Sequence, residues 1–246
     1  MSRLNNNYYR FPRTFHFEFS ESLQNDDRML HSLSALKNRR IIVSEKLDGE
    51  NATLGRNYIH ARSTSSKDHP SRHFVKSIHA SFKHLIPEGW RICGENMFAL
   101  HSIYYTGLPS YFFVFAIFNE YNEEIPWDET VAMCNDLGLI HVPVLYDGIW
   151  DLDKIKECYT GVSAYEGWQP KKTVADFKTF RKMILDGDKI EQFADPTQEG
   201  YVTRVSDGFH YDNFASHTAK FVRKSHVACS DHWMSEQIIK NKLKEQ

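Results

Sequence analysis

Eight consecutive residues, Tyr111 to Phe118, are apolar without interruption (Tyr-Phe-Phe-Val-Phe-Ala-Ile-Phe). A half-exposed strand alternates apolar and polar side chains, so a run with no polar face predicts a strand covered on both sides. That requires a sheet with a layer packed on each face. Other segments supply the layers. Residues 13–19 place phenylalanine at every second position and predict a strand, and Leu23, Leu30, Leu33 and Leu36 predict a helix within 21–37. Phe74, Ile78, Phe82 and Leu85 recur at helical spacing within 71–85. Residues 128–137 predict a helix ended by Gly138, and 151–159 and 173–187 two more. Strands are expected at 41–43, 52–54, 58–60, 90–95, 140–145, 200–205 and 219–223, with Pro143 marking an edge strand. The sum is an α+β fold in one main domain.

Composition narrows the class. Hydrophobic residues at 41% and aromatic residues at 14% provide a core, and no apolar run approaches the length of a membrane span. The N-terminal residues lack the apolar region of a signal peptide. Cys93, Cys134, Cys158 and Cys229 lie far apart, with no Cys-x-x-Cys and no metal spacing among the 13 histidines. Reduced cysteines in a cytoplasmic protein are expected. A net charge of −2 disfavours a general polyanion coat, although Lys37, Arg39, Arg40, Lys67, Arg72, Lys76, Lys171, Lys172, Lys178, Arg181 and Lys182 form local basic clusters.

The chemistry gathers at strand ends. Glu45-Lys46-Leu47-Asp48-Gly49-Glu50-Asn51 follows the apolar run Ile41-Ile42-Val43, so Lys46 stands where a strand breaks. Asp48-Gly49 is turn chemistry and, alone, is equally a surface hairpin. A lysine held at a strand end over a sheet also suits a covalent nucleophile. Glu95 follows Cys93-Gly94, Glu199 precedes Gly200-Tyr201-Val202, and Lys220 sits in Ala-Lys-Phe-Val-Arg-Lys. Taken singly, each is an ordinary strand-end charge; their joint occurrence in this order is what carries weight.

In that order, with Phe-Val-Phe-Ala-Ile of the apolar run between Glu95 and Glu199, the five motifs resemble the covalent nucleotidyltransferase superfamily of ATP-dependent ligases and capping enzymes. The longer Glu-Lys-Leu-Asp-Gly-Glu-Asn, with Arg62 in Ala-Arg-Ser, is similar to the RNA-ligase-2-like branch, and the likeness spans residues 41–224. The resemblance implies a single ATP-grasp-like ligase adenylation domain with antiparallel sheets flanked by helices over residues 1–224, and a short helical tail over 225–246 that leaves no room for an OB domain. It implies Lys46 as the residue that takes AMP from ATP, Lys220 as a catalytic cation, and Glu45, Asp48, Arg62, Glu95, Phe115, Glu199 and Lys224 as nucleotide contacts. Glu199 and Glu95 are the implied ligands of Mg²⁺ or Mn²⁺, and Asn51 and Arg62 the contacts to the RNA end. Burial, a metal and Lys220 are expected to keep the Lys46 amine neutral.

Two departures stand out. The stacking strand has Ala116 where the family has aspartate, which leaves Phe113 and Phe115 in competition, with Phe115 favoured. Val222 occupies the place of a second lysine, so Arg223 or Lys224 is expected to replace it. The implied activity is ATP-dependent joining of RNA 3′-hydroxyl and 5′-phosphate ends, by a monomer acting alone, with a partner protein or within an RNA-repair complex. The alternatives are a DNA ligase, a GTP-using nucleotidyltransferase, or a non-catalytic RNA-binding module.

Overall fold

The computed structural model describes residues 8–23, 27–65, 68–224 and 237–245. In chain order the strands and helices are β1 (Phe15–His16), β2 (Arg40–Lys46), β3 (Glu50–Gly55), β4 (Tyr58–Ala61), α1 (His73–Phe82), β5 (Arg91–Asn96), β6 (Tyr104–Tyr105), β7 (Phe112–Phe118) and β8 (Glu123–Glu124). Then come α2 (Trp127–Leu137), β9 (Ile140–His141), β10 (Val144–Ile149), α3 (Leu152–Glu157), β11 (Gly167–Pro170), α4 (Phe177–Asp186), α5 (Ile190–Phe193), β12 (Ala194–Pro196), β13 (Gly200–Val205), β14 (Phe209–His210), α6 (Phe214–His217) and β15 (Thr218–Val222).

Two sheets carry the fold. One is five-stranded, in the order β1-β15-β13-β2-β10; the other is seven-stranded and runs β14-β8-β7-β5-β3-β4, with β9 added beside β7. All pairings are antiparallel except β1 with β15 and β7 with β9. The β7 strand is covered on both faces, as its unbroken apolar sequence requires. Ala116 and Phe118 face Ile41, Val43, Tyr201 and Ala219 of the five-stranded sheet. Phe112, Val114 and Ile117 pack with Val75 and Phe82 of α1 and Cys134 of α2. A small sheet, β12-β11-β6, joins α4 and α5 around Phe180 and Phe193. The architecture is therefore mixed α+β with antiparallel sheets flanked by helices, and no closed barrel occurs among the described residues.

The structure departs from expectation in several places. The predicted strand over 13–19 shrinks to β1, because Phe15 and His16 alone pair with Ala219 and Lys220. No helix forms in the described part of 21–37: Leu30 and Leu36 are buried, but the chain there runs through turns. Leu30, Leu33 and Leu36 marked burial and not helical periodicity, and Leu23 is exposed. Pro143 divides the strand predicted over 140–145 into β9 and β10, and β10 is an edge. Residues 237–245 are extended, bridging Ala99 to Lys240 and Leu108 to Leu243, so this part of the tail is not helical. The rest of the predicted tail helix lies outside the described residues, as do Lys67 and Cys229. Cys93, Cys134 and Cys158 are free and buried. No described helix is long and apolar enough to cross a membrane.

Candidate active site

Strand register assembles the site. In β2 and β13, Lys46 pairs with Gly200 and Ser44 with Val202; Val202 in turn pairs with Lys220 of β15. Antiparallel partners share a face and so do residues two apart, so Lys46 and Lys220 stand on the same side of the sheet. Gly200 lets the strands close: a Cβ there would lie 2.0 Å from the Phe221 carbonyl oxygen. The adjacent Glu199 accepts a 2.5 Å hydrogen bond from Lys46 Nζ. Its side chain is 4% exposed, against 29% for Lys46, so a buried carboxylate meets a partly open amine.

The turn after Lys46 crosses to the other sheet. Gly49 passes so close to β5 that a Cβ would lie 2.6 Å from the Asn96 carbonyl oxygen. Its N–H donates to Glu95 Oε1 at 3.2 Å, and Asn51 pairs with Glu95 across β3 and β5. The Asp48 carboxylate is committed elsewhere: Oδ2 accepts from Ser102 N, Ser102 Oγ and Ile103 N, each at 2.7 Å. Asp48 N donates to the Tyr105 hydroxyl at 3.1 Å.

A β-bulge selects the aromatic. Cys93 pairs with Ala116 and Gly94 with Val114, leaving Phe115 as the extra residue of β7. Bulges re-aim side chains at such positions. Phe113 is fully buried against Tyr165 in the core, whereas Phe115 is half-buried and borders a cavity. The bulge leaves the Phe115 carbonyl outside the regular ladder, and the Arg204 guanidinium donates to it. Arg204 is in turn paired with Glu124 at 2.7 Å, both side chains being 4% exposed.

The cavity, about 500 Å³, brings together Glu45, Lys46, Asn51, Arg62, Glu95, Phe115 and Lys220. Glu199 reaches it through its contact with Lys46. Asp48 and Lys224 are not among the lining residues. The Lys224 side chain is exposed beyond β15, and its backbone N–H donates to Glu21; Arg223 donates to the Lys224 carbonyl. The N-terminal segment, which sequence reasoning did not assign to the site, contributes to the wall. Phe11, Arg13 and Phe15 line the cavity with Asp27 and Arg28, and the Phe11 and Phe115 rings pack edge-on with centroids 4.9 Å apart. The alternating phenylalanines were the available signal, but they read equally well as a core strand. Buried Glu50 and Arg72, a bidentate pair, complete the wall beside Asn51.

Burial and neighbouring charge set the protonation pattern. Burial pulls the Lys46 ammonium toward neutrality, but Glu199, Glu95, the hydrogen bond to Glu199, and Asp48 together outweigh it, so its pKa is raised. Without nucleotide or metal the amine therefore keeps its proton, contrary to the expected neutral form, with Glu199 the largest contributor. Lys220 differs. Burial first, and then the charge of Lys46, lower its pKa, against an opposing Asp27 at 3.2 Å. Burial, with Glu199 and Asp48, pushes the Glu95 carboxyl up to about 8, against the pull of Lys46 and the Gly49 N–H. Burial likewise raises Glu45, whose Oε2 accepts from Ala164 N at 2.9 Å. Among the described residues no group of three or more His, Cys, Asp and Glu is arranged to hold a metal. Glu95 and Glu199 are nonetheless hard oxygen donors that suit Mg²⁺ or Mn²⁺ when water and phosphate oxygens complete the shell.

Two lysines on one face of the first sheet, with a carboxylate and an aromatic on the other sheet, match what the sequence resemblance implies, and the chain is one of the covalent nucleotidyltransferase superfamily. Within it, the chain belongs to the RNA ligase family, whose model matches residues 39–222. Solved structures share the fold. A variant of the Naegleria gruberi RNA ligase with ATP and Mn is 15% identical with a TM-score of 0.51, covering 89% of this chain and 58% of that one. The Naegleria gruberi RNA ligase with PPi is 16% identical with a TM-score of 0.50, covering 92% and 61%. This chain therefore spans about three-fifths of the length of those proteins. Among curated proteins, none matches the sequence.

Proposed function

We propose that this chain is an ATP-dependent RNA ligase that works through an AMP-lysine intermediate at Lys46. The observation that carries the reading is Lys46 Nζ at the edge of the cavity, 2.5 Å from Glu199, with Lys220 on the same sheet face and Phe115 across the space. The Lys46 amine attacks the α-phosphorus of ATP, a nitrogen–phosphorus bond forms, and pyrophosphate leaves. Lys46 must first lose its proton, and Glu199, the group in contact with it, is the acceptor within reach. Lys220 offsets charge developing on the phosphoryl oxygens. Phe115 provides an adenine platform, and Arg62 and Glu95 suit the ribose hydroxyls. A divalent cation at Glu95 and Glu199 supplies further charge stabilisation when bound.

The AMP group then passes to an RNA 5′-phosphate, forming a 5′–5′ pyrophosphate and freeing Lys46. An RNA 3′-hydroxyl attacks the capped phosphate, the phosphodiester forms and AMP leaves. Asn51 Oδ1 is buried with no hydrogen-bond partner among the described residues, on a residue that lines the cavity, and suits a donor on the incoming end. The test is incubation with α-labelled ATP and Mg²⁺ or Mn²⁺ followed by denaturing electrophoresis. The native chain should carry label and Lys46→Ala none. Label on GTP alone would favour the other nucleotide, and undiminished labelling of Lys46→Ala would sink the reading.

A further inference from the structure

The residues that hold Asp48 are themselves held by the last described segment of the chain. Between β5 and β7 the chain runs irregularly over 97–108, apart from the two residues of β6, and its backbone groups need partners. Residues 239–244 supply them. Leu100 N donates to Ile239 O at 2.8 Å, Asn241 N to Phe98 O at 3.1 Å, Lys242 N to Tyr105 O at 2.8 Å, and Lys244 N to Leu108 O at 2.8 Å. Asn241 is the centre of the contact. It is 1% exposed, and its amide nitrogen donates to Met97 O at 2.8 Å and Ala99 O at 3.3 Å. Its amide oxygen accepts from Tyr105 N at 3.0 Å, and its carbonyl from the Tyr111 hydroxyl at 2.9 Å. The segment so pinned carries Ser102, Ile103 and Tyr105, which make the four hydrogen bonds to Asp48 described above.

We infer that Asn241 is a positioning residue for adenylylation, acting through the 97–108 segment and Asp48 to fix the turn that presents Lys46. The inference rests on the proposed role of Lys46. Its physical basis is that a side-chain amide with all its groups satisfied in a dry site tolerates no substitute of the same reach. A small displacement of a nucleophile lowers the rate of attack far more than it lowers nucleotide affinity.

The experiment measures single-turnover label transfer from ATP against ATP concentration in the full chain, with thermal melting to confirm folding. Asn241→Ala should lower the maximal rate tenfold or more with half-saturation within about twofold of native. Ser102→Ala, which removes one Asp48 contact and leaves Asn241 in place, should lower the same parameter. Because both act along one line of contacts, the double variant should be little worse than the poorer single. Lys244→Ala, whose side chain is exposed and whose contact is through backbone, serves as the neutral control. No label on the native chain would refute the role of Lys46 itself. With native labelling intact, native rates in both variants, a change confined to half-saturation, or fully additive losses would overturn the inference about Asn241.

Discussion

Glu95 gives the most exacting test of the site's electrostatics, because its effect on stability has a definite sign. Its folded pKa is pushed up to about 8 from an ordinary 4.5, chiefly by burial. Between those values the folded protein holds a proton that the unfolded chain has released. Stability therefore falls as pH rises through that window and levels off above it, once both states are ionised. Below 4.5 both states are protonated and the group contributes nothing. Integrated across the window, the loss has an upper limit of about 5 kcal/mol, and partial solvent access brings the expected value to roughly 3 kcal/mol. Glu95→Gln keeps the shape and removes the titration. At pH 5 the variant and native proteins should melt within a few degrees of each other. At pH 9 the variant should be the more stable, by roughly 10 °C in Tm. The assay is paired thermal or urea unfolding at both pH values without nucleotide or metal. An equal difference at both pH values, or a less stable variant at pH 9, would refute the assignment of Glu95 as a carboxylate held against its charge. A cation bound there must also displace the proton, so near pH 7 calorimetry in buffers of different ionisation enthalpy should register proton release on metal binding.

Other measurements address the remaining groups. Glu199→Ala should lower label transfer on the order of a hundredfold or more with the fold intact, and near-normal rates would return Glu199 to a structural role. Phe115→Ala should raise half-saturation for ATP about tenfold with little loss of stability, whereas Phe113→Ala should cost roughly 3–5 kcal/mol of stability; the opposite split in ATP titrations and urea unfolding would reverse the assignment. Matched nicked substrates differing only in the terminal 3′-hydroxyl sugars, at one salt concentration, should show faster sealing when those sugars are ribose, and equal rates would favour a DNA ligase.

The sequence by itself marked the long strands β2, β3, β5, β7, β13 and β15 and the motifs they carry. The unbroken run at 111–118 required a sheet covered on both faces, and β7 is such a strand. Gly138 ends α2 in a left-handed conformation, as its place after the last apolar turn predicts. Lys46 at the end of β2, Glu95 next to the end of β5, and Phe115 and Lys220 in mid-strand converge on one cavity because strand pairing brings those positions together. What sequence could not supply was long-range placement. Leu30, Leu33 and Leu36 matched a helix, yet hydrophobicity specifies burial and leaves backbone path to the tertiary contacts. Phe115 was already favoured over Phe113, but the reason, a bulge between two strands, is invisible in either strand alone. The charge on Lys46 was expected to be lost and, without nucleotide or metal, is instead held, because the balance between burial and the acidic groups, Glu199 first, depends on where those groups stand. Asn241, 193 positions from Asp48 in a segment read as helix, could be tied to the active-site turn only by the folded chain, since hydrogen bonds between irregular segments leave no periodic trace in sequence.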